Sequence, residues 1–234
     1  MYWVTRPPNL LIAAAFVMGG CAPAGVVGGA GAGAVLGHTL HCYGLGMVNN
    51  CPTPTPPEIV AARKNDAETL GRLISEQPRI VKDAGRLDPI LAAAAGSDAL
   101  DVVRLLVPTY AAVDRQLSEP TGGTMLNKAV LSGGCNTVVQ LLDWGAKLPA
   151  FDSLRHLVYS STIRRKSDAC LIAAKKVISI GYQPSSRELS TSLGIALGDG
   201  WEGKTISDQW NVPNYEMASY LRSLGAVYVP PHSH

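Results

Sequence analysis

The chain has 234 residues, 47% of them hydrophobic, and a net charge of +2 from 20 basic and 18 acidic side chains. That is enough apolar material for one large or two small domains, and the near-neutral balance excludes bulk electrostatic attraction to nucleic acid. Two Phe in a chain rich in Ala, Leu and Val point to an all-α fold packed through small aliphatic side chains rather than aromatic-rich strands.

The charge is unevenly placed. Between Arg6 and Glu58 there is no Asp, Glu, Lys or Arg, so the water-facing part of the chain begins near Glu58. Arg6 precedes the apolar run LLIAAAFVMGG, which is too short to span a bilayer but suits the hydrophobic region of a secretory signal. The run ends in Met18-Gly19-Gly20-Cys21, which resembles the lipobox of bacterial lipoproteins, with Met18 where Leu is usual. The resemblance implies that residues 1–21 are a signal segment, that Cys21 carries palmitate-type acyl chains, and that the protein sits on the periplasmic side of the cell envelope. An ordinary signal peptide, an uncleaved anchor and a buried structural segment are the other readings.

Residues 22–57 follow as a Gly-rich segment and a Pro-rich spacer. Gly25, Gly29, Gly33 and Gly37 recur every four residues. On a helix they form one face that lets a second helix approach backbone to backbone, a glycine zipper. Since Gly costs a helix about 1 kcal/mol against Ala in water, this segment belongs in lipid or against a partner if helical, or is a flexible tether if not; both readings stay open. His38, His41, Cys42 and Cys51 match no standard zinc spacing, and a secreted setting favours a Cys42–Cys51 disulfide over a metal site. No metal and no cofactor is expected.

From Glu58 onward the chain repeats. DPILAAAAGSDALDVVRLLV and TMLNKAVLSGGCNTVVQLLD superpose at an offset of 36, bringing Ile90 onto Leu126, Ala93 onto Ala129, Val102-Val103 onto Val138-Val139, and Leu105-Leu106 onto Leu141-Leu142. Each unit reads as a first helix with Ala at the close approach, a Gly-containing turn, and a second helix with Val and Leu on one face. Neither helix pair can bury its apolar face alone, so each must stack on the next.

These units resemble ankyrin repeats. Gly123-Thr124-Met125-Leu126-Asn127-Lys128-Ala129 is similar to the family's opening motif, and Val138-Val139-Gln140-Leu141-Leu142 with Trp144-Gly145-Ala146 to its closing one; Leu91 and Asn127 stand where the family has His. Weaker copies begin at Glu58, Asp152 and Arg187. The resemblance implies a solenoid of about five repeats over 58–228, followed by a short tail, 229–234.

No catalytic constellation is legible, and an enzyme is not expected. The family resemblance implies a protein-binding surface on the concave side. Arg155, His156, Arg164, Arg165 and Lys166, with Lys175 and Lys176, gather in the fourth unit, while Asp199, Glu202, Asp208 and Glu216 gather in the fifth, either as solvated faces or as a bipolar docking surface. Trp201, Trp210 and Tyr215 lie in or beside a long insertion and read as a cap or as interface anchors. Cys135 and Cys170 fall in adjoining repeats. Because repeats stack about 8–10 Å apart and a disulfide needs Cα atoms within about 7 Å, two buried free thiols are expected, with a bridge as the alternative. The functional expectation is an envelope lipoprotein that binds one protein partner, immunity against a secreted toxin or lytic effector being one such role. A structural lipoprotein that oligomerises through its zipper is the alternative.

Overall fold

A computed structural model describes residues 55–118, 122–148, 153–163, 167–199 and 212–229. They form eleven helices in chain order: α1 (Pro57–Arg63), α2 (Ala67–Glu76), the single turn α3 (Arg79–Lys82), α4 (Ala84–Gly96), α5 (Leu100–Leu106), α6 (Met125–Ser132), α7 (Cys135–Asp143), α8 (Ser153–Ile163), α9 (Ser167–Ser179), α10 (Ser186–Leu197) and α11 (Tyr215–Ser223). Among the described residues β-structure is limited to one antiparallel bridge, Gln116 to Thr124. The fold is all-α in this region.

Short polar side chains start the helices by accepting otherwise orphaned backbone N–H groups. Asp66 accepts from Thr69, Asp83 from Gly85, Thr124 from Asn127, Ser185 from Glu188 and Asn214 from Met217. The Thr69 N–H also holds the Asp66 carboxyl below the ordinary range. At the other end, α7, α9 and α11 stop at Gly145, Gly181 and Gly225, each at positive φ, where the N–H groups of the glycine and its successor return to the last turn.

Apart from α3, the helices pair within units and the units pack in series. First helices touch in the order α1, α4, α6, α8, α10, and second helices in the order α2, α5, α7, α9, α11. One buried apolar cluster runs from Ala61 to Val177 and includes Leu157, Cys170 and Ala173; the other holds Leu154, Val158 and Ala174 with α10 and α11. The α8–α9 pair therefore has two inner faces.

The structural register between the second and third units is 35, not the 36 expected from the sequence. Leu91 corresponds to Leu126, Ala94 to Ala129, Val103 to Val138 and Leu106 to Leu141, all at most 1% exposed. At an offset of 36 the partners would include half-buried Ala93, Leu105 and Val139. Runs such as Ala-Ala-Ala-Ala, Val-Val and Leu-Leu slide by one residue without visible cost in the sequence. The turns fix the step, because Asp98 and Gly133 have the same left-handed conformation and the same backbone bonds.

Each junction carries its own fastening. Buried Glu58 accepts from Arg86 at 2.6 Å, joining the first two units. Buried Asp88 accepts from Arg115 Nε at 2.7 Å and from the Ser118 N–H at 2.9 Å, joining the second unit to the loop that leads into the third. Burial alone would raise the Asp88 carboxyl, but the Ser118 and Arg115 hydrogen bonds outweigh it and hold it below the ordinary range.

Cys135 and Cys170 join the third and fourth units as a disulfide with Cα atoms 4.9 Å apart. The expectation of free thiols is corrected for a geometric reason. The spacing of about 8–10 Å is between helix axes, whereas Cα atoms lie about 2.3 Å off the axis. Facing Cα atoms on neighbouring helices thus come well inside bridging range.

Candidate partner-binding surface

The loops before the first helices form the first candidate surface. The 107–124 loop closes on itself through the Leu117 N–H to Gly123 C=O bond. Asp114 accepts the Lys147 N–H at 2.8 Å, tying it to the loop before the fourth unit. Between the two lies a polar groove of about 270 Å³ lined by Asp114, Gln116, Thr124, Asn127, Lys147 and Leu148. The Asn127 N–H donates to the Thr124 hydroxyl oxygen, and that hydroxyl donates to Asn127 Oδ1, so this pair secures the turn. Asp114 and Gln116 were not singled out in the sequence, and no spacing signal marks them.

Arg155 and His156 stand in the first turn of α8, both half-buried and both engaged in interactions within the chain. The turn is positioned by Glu188 of α10, only 4% exposed. Its carboxylate accepts the N–H groups of Leu154 at 3.0 Å and Arg155 at 3.3 Å and the Tyr182 hydroxyl at 2.9 Å. An acid at a helix N-terminus meets both unsatisfied donors and the positive end of the macrodipole. Ser185-Ser186-Arg187-Glu188 has the spacing of a capping box. Ser185 does cap α10, but the Glu188 carboxylate caps α8 in the preceding unit.

Tyr215 opens α11 and is 71% exposed. It borders a cleft of about 340 Å³ lined also by Ser161, Thr162, Asp168, Val212, Pro213, Asn214 and Glu216. Two of the basic side chains expected on a docking surface are used inside the fold: Lys176 pairs with Asp143 at 2.6 Å, and Lys175 lies over the Tyr220 ring, 5.6 Å from its centre. Arg164, Arg165, Lys166, Trp201 and Trp210 lie outside the described residues, as do Cys21, the Cys42–Cys51 pair, and Gly25, Gly29, Gly33 and Gly37.

Among the described residues no cluster of His, Cys, Asp and Glu could hold a metal ion, and no helix is long and apolar enough to cross a membrane. No family model, curated protein or solved structure matches this chain.

Proposed function

We propose that this chain is a membrane-tethered protein of the bacterial cell envelope whose ankyrin-like helical-pair solenoid binds and holds one protein partner, serving as a periplasmic immunity protein that covers a secreted toxin or lytic effector. The observation that supports the binding role is the serial packing of helix pairs, first helices touching first helices from α1 to α10, with matched turns at Asn65, Asp98 and Gly133. Such extended surfaces are built to bind other proteins. The buried Cys135–Cys170 bridge supports the location, since intramolecular disulfides persist in oxidising compartments. The lipobox-like Met18-Gly19-Gly20-Cys21 supplies the anchor.

A second reading rests on Gly25, Gly29, Gly33 and Gly37, whose four-residue spacing supports a structural envelope lipoprotein that oligomerises through this segment. One experiment separates the two. The tagged full-length chain is recovered from detergent-solubilised envelopes and its co-purifying proteins are identified by mass spectrometry, beside an Arg155→Ala/His156→Ala/Tyr215→Ala variant and a Gly29→Leu/Gly33→Leu variant. The binding reading expects one dominant partner, lost with the first variant and kept with the second. Retention of the same proteins by both wild type and the first variant, with self-association lost in the second, overturns it in favour of the oligomer. A Cys21→Ala change is expected to release the chain from the membrane fraction.

A further inference from the structure

Asn65, Asp98 and Gly133 occupy one place in the first three units. Each follows a first helix, each has left-handed φ (+57°, +60° and +68°), and each sends its N–H to the carbonyl three residues back. Asn65 and Asp98 use their side chains on the next unit. Asn65 Oδ1 accepts the N–H groups of Asp101 and Val102 at the start of α5. Asp98 Oδ1 accepts the Thr137 N–H at the start of α7.

Gly133 has no side chain to offer α9, and none fits. A Cβ there would collide with the side chain of Ser160, a buried residue of α8. Two positions later stands Cys135, at the first residue of α7, bonded to Cys170 of α9. The bond thus runs from the third unit to the second helix of the fourth, the same direction that the two caps take one and two units earlier.

We infer that the Cys135–Cys170 disulfide replaces the side-chain cap at the junction where close packing on Ser160 forbids one, and that docking of the last two units is thereby conditional on oxidation. Forming the bond takes two protons and two electrons from the two thiols; a disulfide oxidant, protein or glutathione, accepts them and leaves as two thiols. Both sulfurs belong to residues that are 0% exposed, so reductant reaches the bond only when the junction opens. The cross-link spans 35 residues, and restricting the unfolded chain over that span favours the docked state. In a serial stack such an effect is local, because each unit leans only on its neighbours. The inference depends on neither the anchor nor the partner.

The test is hydrogen–deuterium exchange on the full chain in three forms: bridged, the same sequence prepared under reductant with both thiols intact, and Cys135→Ala/Cys170→Ala. The expected result is that amides of α8 to α11 exchange about tenfold faster or more in the thiol form while those of α1 to α5 stay within about twofold. Equal protection in the bridged and thiol forms overturns the inference, as does a loss spread evenly from α1 to α11. So does alkylation of both cysteines in unreduced, denatured chain taken from an oxidising compartment. The thiol form keeps both side chains, so a misfolded Ala variant does not decide the outcome.

Discussion

The carboxylate of Asp98 accepts the backbone N–H of Thr137, 39 residues further on, at 2.8 Å, while its other oxygen takes the Asn136 side-chain amide at 2.9 Å. A residue in one unit thus caps a helix in the next, and holds a left-handed φ of +60° to do so. Asp98→Ala removes the cap, at about 0.5–2 kcal/mol, and places a methyl group in a conformation costing about 1–2 kcal/mol. Asp98→Asn keeps both the tolerance of this backbone and an acceptor, as Asn65 does one unit earlier. Urea unfolding is expected to show a clear fall in midpoint for Ala and a small one for Asn.

Gly133 and Gly145 both have positive φ, at +68° and +84°, but differ in surroundings. A Cβ at Gly133 would strike Ser160, whereas one at Gly145 meets nothing within 4 Å. Gly145→Ala should therefore cost only the conformational strain of about 1–2 kcal/mol. Gly133→Ala adds an overpacking cost of about 1–3 kcal/mol. Thermal unfolding of the two variants side by side measures the difference, and Ser160→Gly should restore part of the loss in the Gly133 variant.

Asp88 gives stability a defined acid limb. Its carboxyl is held below the ordinary range in the folded chain, so the charged form is favoured by folding. The contribution is fully present above the unfolded pKa of about 3.9 and is lost as pH falls through the lower folded value. Asp88→Asn is expected to lower stability at pH 7 by about 1–3 kcal/mol, because Arg115 loses its charged partner, and to flatten the decline below pH 4. Denaturant titrations across pH 2–7 test both.

Tyr182 donates its hydroxyl proton to Glu188 and accepts the Ser153 N–H at 3.2 Å. Tyr182→Phe leaves that N–H and one side of a buried carboxylate short of a partner, a loss of about 1–3 kcal/mol. The first turn of α8, which carries Arg155 and His156, should fray. Faster amide exchange at residues 153–156 and weaker partner capture are the expected readouts.

The helix pairs were legible because Val103 and Leu106, Val138 and Leu141 put apolar side chains at helical spacing on one face. Their register was not, because homopolymeric runs match themselves at neighbouring offsets, and it takes the burial pattern and the turns at Asp98 and Gly133 to distinguish 35 from 36. The capping role of Asn65 and Asp98 was hidden for a related reason. Asn and Asp are the side chains that tolerate a left-handed turn, but both are common in other loops and helix starts, and the partner of each lies a full unit away. Of the candidate surface, the sequence marked Arg155, His156 and Tyr215 by charge and aromatic character, but not Glu188, whose capping-box spacing points to its own helix while its carboxylate serves another. Asp114 and Gln116 meet Lys147 only through the loop fold.

The two-faced α8–α9 pair sets how the chain can be shortened. Ending it at Tyr182 would leave Leu154, Val158 and Ala174 facing water in place of α10 and α11, an adhesive edge of the kind that recruits a second copy. The α10–α11 pair therefore covers this face, and shortening by a whole unit has to keep that pair and delete an inner layer instead.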